Sequence, residues 1–150
     1  MKICIASDHR GYKLKQMLLE KLKDEYQIVD LGTNSENNTD YTKYAFLLGE
    51  KVSSKEYDFG ILICGTGIGI SIACNKVKGI RCAKVDSVLD AEMTRKDNDA
   101  NVVAINGNID IEKAIEIIRK FLTTKFTNIE RYVKRIDDIR KYEMGDYIAR

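Results

Sequence analysis

Cys64 closes an apolar run, Phe59 to Ile63, and Gly65-Thr66-Gly67-Ile68-Gly69 follows it directly. A thiol at the edge of a glycine loop has a definite chemical use. Such a loop brings several backbone N–H groups to the start of the helix-compatible segment that follows, where aligned peptide dipoles favour negative charge. A helix N-terminus also favours thiolate over thiol, and a thiolate is a usable base. Together these residues suggest that Cys64 removes a proton from carbon while the loop amides stabilise the oxyanion that forms. The plainer alternative is a small buried cysteine at a strand end. The glycines also leave nucleotide binding open. Ile70 takes the place of the third glycine of G-x-G-x-x-G, but Asp86 lies at about the spacing of a ribose-binding acid.

His9 is the only histidine and stands beside Asp8. Just past a strand, that pair suits substrate binding or proton transfer, although a lone histidine is more often a surface residue. Arg131 and Arg135 are four apart and share a face if the segment is helical. With Glu130, Asp137 and Asp138 nearby they make a solvated charged face, or two guanidiniums that clamp a phosphate. No second histidine or cysteine cluster supplies nitrogen or sulfur ligands, so no metal is expected, scattered carboxylates offering at most a weak magnesium site.

Short apolar runs at Lys2–Ala6, Gln27–Leu31, Asp58–Cys64, Ile80–Val85 and Val102–Ile105 predict five strands. Helical spacing predicts helices over Tyr12–Leu22, Tyr41–Val52, a central segment closed by Gly79, Ser87–Arg95 and Ile111–Leu122. The polar stretch Gly32–Asp40 reads as a loop, and Asn128 to Ile148 as a more charged helix. Alternating strands and helices predict an α/β fold, a five-stranded parallel sheet covered on both faces in three layers, with a C-terminal helix. Ligands of such folds gather beyond the carboxyl ends of the strands. Asp8, His9, Cys64 to Gly69, Asp86 and the Asp97–Asn101 loop are therefore expected along one rim.

The chain has 150 residues, 44% of them apolar, enough for one domain over 1–150 with a real core. A net charge of +2 with interspersed signs announces no face for nucleic acid or an anionic membrane. No stretch approaches a membrane span and no leader is visible at the start, so a cytoplasmic protein is expected, with Cys4, Cys64, Cys74 and Cys82 as free thiols. Proline is absent, a feature with no functional account.

SDHRGYKLK at the start, ICGTGIGISIACNKVKGIR in the middle and DNDANVVAI later resemble the ribose-5-phosphate isomerase B family, which includes galactose-6-phosphate isomerase subunits. The likeness covers nearly the whole chain. It implies a Rossmann-like α/β/α fold, interconversion of aldose and ketose sugar phosphates without metal or cofactor, and a homodimer or homotetramer with shared active sites. By the same resemblance Cys64 is the base that moves a proton between C2 and C1. The amides of Gly65, Gly67, Ile68 and Gly69 stabilise a cis-enediolate, and Thr66 shuttles the oxygen-bound proton. Asp8, His9, Tyr41 and Asn98 contact the sugar. Arg131 and Arg135 hold the phosphate, reaching a partner subunit's site from a helix over about 128–148.

Four positions depart from the family pattern. Asp97 stands where ribose-type members have the ring-opening histidine, and Asn108 where an arginine is usual. Tyr132 replaces a frequent histidine and Thr42 a frequent proline. These changes imply an altered sugar preference, whether for a pentose or a hexose phosphate. The alternative expectations are a catalytically impaired sugar-phosphate or nucleotide-binding subunit of a hetero-oligomer and, on the glycines and Asp86 alone, a nicotinamide-dependent dehydrogenase.

Overall fold

A computed structural model describes residues 1–150. Strands and helices alternate as β1 (Ile3–Ser7), α1 (Tyr12–Leu22), β2 (Ile28–Asp30), α2 (Tyr41–Ser53), β3 (Phe59–Cys64), α3 (Ile68–Cys74), β4 (Cys82–Lys84), α4 (Val88–Asn98), β5 (Val102–Asn106), α5 (Ile111–Thr123) and α6 (Glu130–Met144). Every strand pairing is parallel, and the sheet order is β2-β1-β3-β5-β4. The three central strands, buried on both faces, are the apolar runs of the sequence. β2 and β4, at the edges, are three residues each.

Side chains alternate between the two faces along each strand. Ile3, Ile5, Ile61, Ile63, Val103 and Ile105 pack under α1, α4 and α5, and Phe121 of α5 meets Phe59 edge-on at 5.6 Å. Cys4, Ala6, Leu62, Cys64, Val102 and Ala104 pack under α2 and α3. Each large side chain so buried contributes on the order of 1.5–3 kcal/mol. Helix starts follow local chemistry: the Ser87 hydroxyl accepts from the Asp90 amide, and the Asp110 carboxylate from those of Glu112 and Lys113. α6 buries only Ile136 and lies beside α4. No helix is long and apolar enough to cross a membrane.

Two expectations are corrected. The central helix stops at Cys74 rather than Gly79, because the Asn75 side chain turns away to bond both the N–H and the C=O of Cys82 at 2.8 Å. The Asp97–Asn101 segment does not share a rim with Cys64. It leads into β5, and in a parallel sheet the residues entering a strand lie at the edge opposite those leaving its neighbour. Asp97 and Asn98 form the last turn of α4, while Cys64 pairs with Asn106 at the far end of β5, about 13 Å along the strand.

Candidate active site

β1 and β3 are neighbours whose connections depart in opposite directions across the sheet, β1 leading to β2 and β3 to the other side. Beyond their carboxyl ends opens a cleft of about 270 Å³ lined by Asp8, Arg10, Tyr41, Cys64, Gly65, Thr66 and Gly69. A crevice at this kind of switch point is where doubly wound sheets bind ligands.

Cys64 ends β3 and is 4% exposed. The Gly67 N–H donates to its sulfur at 3.2 Å, and the Gly107 N–H donates to its carbonyl oxygen at 2.8 Å. An N–H aimed at sulfur is the donor a thiolate needs once its proton has left. The turn that delivers it requires glycine: Gly67 has φ +76°, and a Cβ there would stand 2.9 Å from the Ile105 carbonyl carbon. The N–H groups of Gly65 and Thr66 have no partner within the protein, whereas that of Ile68 donates to the Thr66 hydroxyl at 3.1 Å. Cys64 and the residues that carry the free amides thus line the same crevice.

The other cysteines have different surroundings. Burial, with Cys74 adding to it, pushes the Cys4 thiol up to about 12, and a hydrogen bond to Cys74 followed by burial raises Cys82 well above its ordinary value. Both stay protonated near neutral pH.

Asp8 is 5% exposed, and its Oδ1 accepts from the backbone N–H groups of Arg10 and Gly11 at 2.9 and 3.0 Å, so it also closes the turn that leads into α1. The ring of His9 is tied to the Gly32–Asp40 loop, with Nδ1 3.2 Å from the Thr39 N–H. Nδ1 also lies 3.1 Å from the Thr39 carbonyl oxygen, so the ring accepts from the amide in one tautomer and donates to the carbonyl in the other. Tyr41 opens α2 and lays its ring against Gly69. Asn108 follows β5 on the same rim, its Nδ2 3.5 Å from the Gly65 carbonyl. Arg10 has no signature in the sequence. Its guanidinium lies against Gly65, visible only once the loop is folded.

The remaining candidates stand apart from this cleft. Asn98 lines a different cavity of about 420 Å³, between β4, α4 and α6. Asp99, at φ 45°, holds the end of α4 there: Arg95 Nη1 reaches Oδ1 at 2.7 Å and Arg81 Nη2 reaches Oδ2 at 3.2 Å. Arg131 and Arg135 flank the Tyr132 ring on α6, at 4.7 and 5.8 Å, and neither is in an ion pair. Within one chain the candidates therefore form two groups at opposite edges of the sheet. Asp86 pairs with Lys84 after β4, which β5 separates from β3, so it does not adjoin the glycine loop as a ribose-binding acid would.

Fold and cleft define a doubly wound α/β protein with the Cys64 thiol at the sheet's switch point. The Ribose/Galactose Isomerase family model matches residues 3–139. YwlF of Bacillus subtilis, which carries the name of a sugar phosphate isomerase, is 48% identical over 147 residues, covering 95% of this chain and 97% of its own. Ribose-5-phosphate isomerase B of Clostridium thermocellum aligns with a TM-score of 0.93 at 40% identity, over 97% of this chain and 99% of that one. The Mycoplasma genitalium enzyme of the same type, solved with bound ribulose-5-phosphate, gives 0.89 at 41% identity over 95% and 96%. The chain belongs to the ribose/galactose isomerase family and is an aldose-ketose isomerase of sugar phosphates of the B type.

Proposed function

We propose that the chain interconverts an aldose and a ketose phosphate through a cis-enediolate, with Cys64 as the base. The thiolate takes the proton from C2 of the open-chain aldose, the electron pair of the C–H bond moves toward the carbonyl oxygen, and the thiol returns the proton to C1. The free amides of Gly65 and Thr66, with that of Gly69, hold the developing oxyanion, while the Gly67 N–H stays on the sulfur and the Ile68 N–H on the Thr66 hydroxyl. Thr66 shuttles the oxygen-bound proton, and Asp8, His9 and Tyr41 contact the sugar hydroxyls. The observation that carries this is the Gly67 N–H bonded to the Cys64 sulfur in a cleft with unpartnered amides.

The other group reaches the cleft from a second copy. Asp97 then serves ring opening, Asn98 holds a hydroxyl, and Arg131 and Arg135 clamp the phosphate, with α6 packing on the partner. This accounts for two unpaired guanidiniums on a helix remote from its own chain's cleft. Ribulose-5-phosphate, bound by the M. genitalium relative, makes a pentose 5-phosphate the first candidate substrate. Asp97 and Asn108 favour a changed preference, with hexose 6-phosphates as the alternative.

Proton NMR in D₂O with ribose 5-, allose 6- and galactose 6-phosphates tests this. Deuterium should enter at C2 of one aldose, and Cys64→Ala should slow that exchange by at least about 10²- to 10⁴-fold while phosphosugar binding persists. Undiminished exchange in Cys64→Ala overturns the assignment. No exchange in a wild-type protein that binds phosphosugars would point instead to an impaired binding subunit.

A further inference from the structure

We propose that Arg10 takes the phosphate of the substrate from within the same chain, as an anion-binding residue of the Cys64 cleft. The inference rests on the sugar-phosphate reading above. A Cβ at Gly65 would stand 2.9 Å from Arg10 Nε and 3.1 Å from Cζ, so the guanidinium lies directly on the loop residue that follows the thiol. It is the only cationic side chain lining the cleft.

Its positive charge is uncompensated. No carboxylate of the chain forms an ion pair with it. The neighbouring acid, Asp8, spends Oδ1 on the Arg10 and Gly11 backbone N–H groups. An arginine stem is long enough to carry its head into open water. Here it folds back along the loop. On the other side the Tyr41 ring lies against Gly69, so the loop is bracketed by a guanidinium at one end and a phenol at the other. A phosphosugar laid across it with its reacting carbons at Cys64 offers its dianion to a planar fork of donors suited to phosphate oxygens. Asn108 adds a neutral amide on the Gly65 side. The α6 arginines lie beyond the other edge of the sheet, which leaves Arg10 as the guanidinium a cleft owns before any second copy contributes.

Calorimetry with inorganic phosphate, beside steady-state kinetics on the sugar phosphate turned over by the wild type, tests this in Arg10→Met and Arg10→Lys. The side chain is exposed, and circular dichroism checks that the fold is kept. Arg10→Met should raise both the phosphate Kd and the substrate KM by about tenfold to a hundredfold. Arg10→Lys, which keeps the charge without the fork, should recover part of the loss. An unchanged phosphate Kd in Arg10→Met overturns the proposal, as does a fall in kcat with Kd and KM unmoved, which would place Arg10 at the enediolate. Phosphate binding needs no turnover, so a wild type that binds phosphate yet isomerises nothing would sink the Cys64 reading alone.

Discussion

Cys64 differs from the three other cysteines in that a backbone amide donates to its sulfur at the mouth of the switch-point cleft, whereas the Cys4 thiol donates to the Phe59 carbonyl and Cys74 and Cys82 face each other. Iodoacetamide at neutral pH should therefore modify Cys64 first, and peptide mapping of the Cys64→Ala protein should show no rapid alkylation. Rapid labelling of Cys82 instead would contradict the protonated state described for it. Cys64 was legible in the sequence because a strand-ending thiol abuts three closely spaced glycines, a local pattern. Arg10 was not, since one arginine in Asp-His-Arg-Gly has no period and no partner in sequence. Its place depends on Gly65, fifty-five positions away, leaving room for it.

At the level of elements, β1 must hold Asp8 and His9 in place, and a half-buried ion pair helps to do so. Lys15 of α1 is 0% exposed and pairs with Asp30 at the end of β2. The same carboxylate accepts from the Gly32 N–H at 2.8 Å. Gly32 O in turn accepts from the Ser7 N–H at 2.7 Å, and Ser7 O from the Thr33 N–H at 2.9 Å. Asp30→Asn leaves the Lys15 ammonium without its counter-charge and should cost about 1–3 kcal/mol, less than a fully buried pair would because Asp30 reaches water, measured as a lower urea midpoint. Lys15→Met should cost less, because Asp30 keeps some access to water. Equal midpoints for wild type and Asp30→Asn would show that the pair contributes nothing. The central strands were readable from composition because burial on both faces demands unbroken apolar runs. The end of α3 was not, because it is set by Asn75 reaching the backbone of Cys82, a contact that leaves no periodic trace. Asp97 was placed on the wrong rim for a topological reason: it precedes its strand.

Across the whole molecule the candidate residues occupy opposite edges of one sheet. If a second copy completes each site, Cys64→Ala and an Arg131→Ala/Arg135→Ala double variant, each inactive alone, should complement when unfolded and refolded together. For a dimer, random pairing gives half mixed species with one intact site in two, or about a quarter of wild-type activity. No recovery in verified mixed dimers would show that both groups serve the same chain's cleft. The sheet order has a separate consequence, for synthesis. β5 is the last strand made, yet it is inserted between β3 and β4, and its end supports the glycine turn: Gly67 rests on Ile105, and the Gly107 N–H holds the Cys64 carbonyl. A nascent chain emerging from the ribosome therefore carries its thiol and glycine loop before it carries the strand on which the turn rests, so the Gly67 turn gains its support only once the fifth strand has been made.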